Sequence, residues 1–187
     1  MKIKIHTFHG FAFDYLTDAG LVSGDHIGNN LLRYSILQSF IDNKALTYGK
    51  SYIVQTIMPK VETAIRYIKN FGITPDKIDL NKTAKAIEVL HKPTPAYSKA
   101  DMKAFLKYFV DAYKHYEDSK TDVIDYSDML LTFIEKFQGE KYQHVLVDEM
   151  QDMNEIEAQI VEMVSENLFL VGDAKQAIFG FQGGSIK

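Results

Sequence analysis

An α/β fold with a parallel sheet is what this sequence predicts, on two observations. Short apolar runs at residues 1–6, 144–147 and 168–171 each end in a polar or acidic corner. Between them lie long segments whose apolar residues recur at helical spacing. Strands linked through helices favour a right-handed, parallel arrangement, in which the strands end at one edge of the sheet.

The stretch Val145-Leu146-Val147-Asp148-Glu149-Met150-Gln151-Asp152 is the centre of this reading. Its apolar start predicts a strand buried on both faces, as in parallel sheets. Two carboxylates follow where the strand ends, and ligands of open α/β sheets bind beyond the strands' carboxyl ends. Asp148 is suited to hold Mg²⁺, which prefers oxygen ligands and takes few carboxylates from the protein. Glu149 is suited to orient or deprotonate an attacking water. The plainer alternative is that both acids open the next helix, where negative charge is favoured. Weighing against it, residues 168–171 form a second apolar run that ends in Gly172-Asp173, with Gln176 three residues on.

Residues 1–6 alternate Lys and Ile after Met1, as a short strand does, and Thr7-Phe8-His9-Gly10 closes it. Phe8, Phe11, Ala12, Tyr15 and Leu16 then mark a helix. Gly20, Gly24 and Gly28 mark a loop. Helical patterns follow through Leu31 to Ile41, Val61 to Ile68 and Ala84 to Leu90. Pro59 is placed to begin one helix and Gly72 to end it, while Pro93-Thr94-Pro95 breaks the run. The strongest helix is 98–117, with Met102, Phe105, Leu106, Phe109, Val110, Tyr113 and Tyr116 in one stripe that reads as core. Asp125 reads as the N-cap of a helix carrying Met129, Leu130, Phe133, Ile134 and Phe137. Asn154 to Glu166 reads as one more helix, with Ile156, Ile160 and Met163 inward.

The 187 residues are 46% hydrophobic and 25% charged, an ordinary globular balance. No cysteine is present, so disulfides and thiolate metal sites are excluded and a cytoplasmic setting is expected. No apolar run approaches the ~20 residues of a membrane span, so no membrane partner is expected. The net charge of -4 conceals a division. Residues 44–120 carry 14 Lys and Arg against 8 Asp and Glu, whereas residues 121–187 carry 4 against 13. The basic middle is either a set of solvated helix faces or a surface that tracks a phosphate backbone. From Asp148 to Glu166 there are seven acids and no base, which excludes that helix as a DNA-facing surface.

Val147-Asp148-Glu149-Met150-Gln151-Asp152-Met153-Asn154 resembles motif II, VDExQDxN, of the UvrD/Rep/PcrA-type superfamily one helicases. Val171 through Gly183 resembles their motif III, Thr7-Phe8-His9-Gly10 their motif Ib, and Asp125 through Leu131 the D[FY]xD[LM]L stretch before motif II. The resemblance implies a partial RecA-like parallel sheet with a large all-helical insertion, the 1B-like subdomain. Residues 1–20 plus 140–187 would then belong to motor domain 1A, and 21–139 to the insertion and its connecting helices. It further implies ATP as substrate, Mg²⁺ at Asp148, and Glu149 and Gln176 as catalytic residues contacting the nucleotide. Single-stranded or partly duplex DNA would be the partner, touched by Thr7, Phe8, His9, Phe179, Phe181 and Gln182. Phe8 and Phe179 have core packing as their plainer alternative. Gln182 stands where the family usually carries Arg and so lacks its permanent charge.

The sequence contains no GxxxxGK[ST] loop, the family's main cradle for nucleotide phosphates. The expectation is therefore a fragment, running from motif Ib through motif III, of an ATP-dependent DNA helicase of 3′-to-5′ direction. Its partners would include the Walker A segment and the second motor domain, and the chain alone is expected to be inactive. The alternative is a non-hydrolysing, helicase-derived module that binds single-stranded DNA or a protein.

Overall fold

The computed structural model describes residues 3–27, 35–36, 38–39, 49–90, 98–120 and 123–173. They divide into two compact units. One takes its residues from 1–28, 66–72 and 122–187, the other from 29–65 and 73–121.

In the first unit, helix α1 (Phe8–Asp18) starts at Thr7, whose hydroxyl accepts the Gly10 N–H at 3.0 Å. That bond satisfies one of the free donors every helix start exposes. Its inward stripe leaves Ala12 and Leu16 at 0% exposure. Helix α5 (Tyr126–Lys136) packs on α1 through Phe133, which is also fully buried. The Phe133 ring lies 5.3 Å from Phe11, 5.2 Å from Tyr15 and 5.0 Å from Phe137 between centroids. Such pairs each add about 0.5–1.5 kcal/mol beyond simple burial. Helix α6 (Glu155–Val164) completes the core with Ile156, Ile160 and Val164, spaced four apart on one face.

Strands β1 (Val145–Val147) and β2 (Leu168–Leu170) pair in parallel, Val145 opposite Leu168 and Val147 opposite Leu170. Val145 packs on the helical core and Val147 is buried, whereas Leu146 and Phe169 on the other face are 74% and 54% exposed. The expected burial on both faces is thus corrected to burial on one. Side chains alternate across a strand, and among the described residues the core cluster covers only the Val145 side. The strand expected at residues 1–6 is corrected too. Residues 3–7 carry no strand pairing, and Ile3 and Ile5 are 73% and 91% exposed. Alternating Lys and Ile supplies the strand pattern, but a strand needs a neighbour to bond its backbone, and the sheet of described residues has two strands.

A single α-turn (Lys50–Tyr52) runs through a π-helical stretch (Ile53–Ile57) into helix α2 (Met58–Lys69), of which residues 58–65 belong to the second unit and 66–69 to the first. Pro59 is the second residue of α2, in the first turn where the sequence places it, and the π-helical stretch leads directly into that turn. α2 ends at Gly72, whose φ of 64° is a left-handed value that glycine adopts freely. Helix α3 (Leu80–Leu90) packs against α4 (Lys99–Asp118), which Ser98 and Asp101 open with a reciprocal cap. On α4 Met102, Leu106, Phe109, Tyr113 and Tyr116 are buried as the stripe predicts, while Lys99, Lys103, Lys107 and Lys114 face solvent. Tyr113 keeps its hydroxyl satisfied by donating to the Ile73 carbonyl at 2.9 Å. The helix expected at Leu31 to Ile41 and the Pro93-Thr94-Pro95 break lie mostly or wholly outside the described residues.

Asp125 caps α5 as its position predicts, and it does more. Asp125 and Asp128 exchange backbone and carboxylate bonds in a capping box. Both carboxylates also accept from Lys69 Nζ, at 2.6 Å for Asp125 and closer for Asp128. Lys69 is 3% exposed, so its charge is tolerable only because these acids neutralise it. Lys69→Met should therefore cost about 3 kcal/mol, because two poorly solvated carboxylates lose their cation. Urea unfolding of Lys69→Met beside wild type checks this, and a change under about 1 kcal/mol would contradict it.

Candidate functional site at the strand ends

The parallel register brings both chain exits to one edge. Beyond the strands the ladder continues, with Val171 N–H donating to Val147 at 2.8 Å and Met150 N–H donating to Val171 at 3.0 Å. Asp148 and Glu149 therefore leave β1 beside Gly172 and Asp173 leaving β2. All three acids are solvent-exposed. Asp148 Oδ1 accepts the Glu149 N–H at 2.9 Å, which holds that carboxylate by one oxygen.

Glu149 has φ 55° and ψ 41°, and it alone among the described non-glycine residues has positive φ. This left-handed geometry costs a side-chain-bearing residue about 1 kcal/mol or more. After it comes a 3₁₀ turn (Met150–Asp152), and only then α6, capped by Asn154. Asn154 Oδ1 accepts the Glu157 N–H while the Glu157 carboxylate accepts the Asn154 N–H, both at 3.0 Å. Burial raises the Glu157 pKa above the ordinary range. Asp148 and Glu149 are thus not the opening of α6, since Asn154 performs that task.

Gln151, 5% exposed, lies beneath these acids. Its Nε2 donates to Glu149 Oε2 at 2.5 Å and its Oε1 accepts the Asp173 N–H at 3.0 Å. Sequence pattern assigns no task to Gln151 or Asn154, although both lie inside the stretch that resembles motif II. For Asn154 a signal is present, because Asn followed three residues later by Glu is a capping-box spacing. For Gln151 there is none, because its second partner, Asp173, follows the other strand 22 residues on.

At the other candidate interface, Thr7 uses its hydroxyl as the α1 cap and Phe8 packs against the core. His9 stacks edge-on against Tyr126, with centroids 5.5 Å apart at 87°. Burial lowers the His9 pKa, so at neutral pH the ring is an uncharged hydrogen-bonding group. Gln176, Phe179, Phe181 and Gln182 lie outside the described residues.

The parallel pair thus brings Asp148, Glu149 and Asp173 to one edge, with a left-handed glutamate among them. Comparison with known proteins gives the chain a family. The family described as UvrD/REP helicase N-terminal domain matches residues 1–187, and the chain belongs to it. A probable DNA helicase II homolog of Mycoplasma genitalium is 25% identical over 97% of this chain and 26% of its own length. The ATP-dependent DNA helicase PcrA of Leuconostoc citreum is 25% identical over 78% of this chain and 22% of its own. The protein of that same name from Staphylococcus epidermidis is 32% identical over 40% of this chain and 12% of its own. The chain spans about a quarter of the length of the first of these relatives. No helix among the described residues is long and apolar enough to cross a membrane.

Two outcomes follow from the local geometry. Replacing Glu149 by Gly and by Ala removes the same carboxylate, but only Ala keeps the left-handed cost. Glu149→Gly should be more stable than Glu149→Ala by roughly 1 kcal/mol, the reverse of the usual order in regular structure. Urea midpoints of the two variants measure it. His9 binds its proton more weakly folded than unfolded, so its contribution is present above its unfolded pKa and is lost as pH falls through and below about 6.5. Wild type should therefore lose stability more steeply than His9→Gln from about pH 7.5 down to 5, measured as unfolding free energy against pH.

Proposed function

We propose that this chain is part of the motor of an ATP-dependent DNA helicase, with the Asp148–Glu149 corner as its hydrolytic site. The observation that carries the reading is the exit of β1 and β2 at one edge, which sets Asp148 and Glu149 beside Gly172-Asp173. Family membership and the names of the helicase relatives support it.

In this reading Asp148 would hold Mg²⁺. A solvent-exposed carboxylate fixed by one backbone bond fits an ion that takes few protein oxygens and keeps several waters. The ion would neutralise charge on the phosphates of ATP. Glu149 orients the attacking water and accepts its proton, with its carboxylate held by Gln151. The left-handed backbone at Glu149 supports hydrolysis over a non-hydrolysing strand- or protein-binding module. A module freed from the reaction has no physical need to keep an acid in a costly conformation. Gln176 reaches the nucleotide from the segment after β2. Residues 1–20 plus 140–187 are part of the RecA-like motor domain and 21–139 the 1B-like insertion with its connecting helices, whose exposed Lys99, Lys103, Lys107 and Lys114 fit a phosphate backbone. Thr7, Phe8, His9, Phe179, Phe181 and Gln182 meet the DNA strand. Movement is 3′-to-5′, and the work is done in a longer polypeptide with a Walker A segment and a second motor domain. The setting is cytoplasmic, with DNA repair the process served.

In that longer protein, Glu149→Gln should cut ATP turnover about 10²- to 10⁴-fold with nucleotide binding largely kept. Asp148→Ala should instead shift the Mg²⁺ dependence to higher concentration. Steady-state hydrolysis across a Mg²⁺ series distinguishes them, and near-wild-type rates in both would remove the assignment. Phe181→Ala should weaken single-strand binding while basal ATPase stays near normal, since stacking one base is worth about 1–3 kcal/mol. Titration with a labelled oligonucleotide reads this directly.

A further inference from the structure

We infer that Gln151 is a positioning residue, whose buried amide makes the Glu149 carboxylate and the Gly172-Asp173 corner one rigid piece. The inference rests on the hydrolytic reading of Glu149 and extends the Gln151 contact to the exit of the second strand. The amide has no choice of orientation. A carboxylate only accepts and a backbone N–H only donates, so Nε2 must face Glu149 and Oε1 must face Asp173.

The backbone around it is shaped to the same end. A Cβ on Gly172 would lie 2.3 Å from Gln151 Oε1, 2.5 Å from Met150 Cγ and 2.9 Å from the Met150 nitrogen. The corner after β2 therefore closes on Gln151 only with glycine there. Met150 N–H adds a second tie, to the Val171 carbonyl at 3.0 Å. An exposed glutamate ordinarily samples several rotamers, each placing its oxygens differently. Here one oxygen is held by a side chain that is itself buried and anchored to the neighbouring strand exit.

The tie has one consequence: Glu149 is oriented before any substrate arrives. A buried glutamine that merely fills space would not do this. Two variants separate the halves of the amide. Gln151→Glu keeps an acceptor for Asp173 but replaces the neutral amide donor to Glu149 with a second carboxyl group, while Gln151→Leu loses both contacts.

The first measurement is amide hydrogen exchange in this 187-residue chain. Asp173 N–H should exchange about 10-fold faster or more in Gln151→Leu and stay protected in Gln151→Glu. The second is a double-mutant cycle on ATP turnover in the longer protein. Gln151→Leu and Gln151→Glu should each lower kcat about 10- to 100-fold with KM for ATP little changed. Added to Glu149→Gln, neither should lower kcat further, because a residue acting through Glu149 has nothing left to position. If Glu149→Gln is severe and the Gln151 loss multiplies on top of it, the positioning role is overturned while the hydrolytic reading stands. Unchanged Asp173 exchange in a folded Gln151→Leu overturns the tie itself. If Glu149→Gln leaves turnover intact, the hydrolytic reading fails and the positioning role goes with it. Should Gln151→Leu not fold, Gln151→Glu alone decides through the same cycle.

Discussion

Everything at the site depends on the parallel pairing of two three-residue strands. Parallel neighbours run in the same direction, so Val147 and Leu170 deliver their chains to the same edge. An antiparallel pair would carry Asp148 and Asp173 to opposite ends. The ladder is short, but it continues through Val147, Met150 and Val171 into the corners themselves. The acids are thus fixed by the same kind of bond that makes the sheet.

The helices around that pair are set by local chemistry first and packing second. α4, α5 and α6 each begin with a reciprocal cap, at Ser98 and Asp101, Asp125 and Asp128, and Asn154 and Glu157. In α5 the cap serves a second purpose, because its two carboxylates neutralise the buried Lys69. One pair of acids thereby starts a helix and ties residues 56 and 59 positions apart in sequence. A charge this enclosed adds less to net stability than its removal would subtract, and what it secures is a single arrangement.

How much of this is legible in the sequence follows from the range of each interaction. The α1, α4, α5 and α6 helices are legible because apolar spacing and caps act within a few residues, as at Met102 to Tyr116 and at Asp125. The Asp148–Glu149 corner is legible because a strand end followed by acids is a local pattern. The first strand misleads because alternation in residues 2–5 describes a strand's faces and says nothing of its neighbour. Burial of β1 on both faces fails likewise, since Leu146 depends on what stands opposite it. The π-helical stretch before Pro59 escapes because it has no sequence signature as simple as a cap. Gln151 escapes because one of its partners, Asp173, follows the other strand, and Lys69 because its acids lie far along the chain.

The cap at Asn154 changes what the spacing of motif II means. The span from Val147 to Asn154 is fixed at both ends, by a strand ladder and by a helix start that exchanges bonds with Glu157. Between them a left-handed residue and one 3₁₀ turn use up the available length. An added or deleted residue there cannot be absorbed by sliding the helix, since that would forfeit the cap, nor by sliding the strand, since that would turn Val147 outward. The segment behaves as a spacer of set length, so insertions should be confined to the loops on either side of it. The final Asn of the motif is then part of its ruler, although it stands apart from the acids that would do the chemistry.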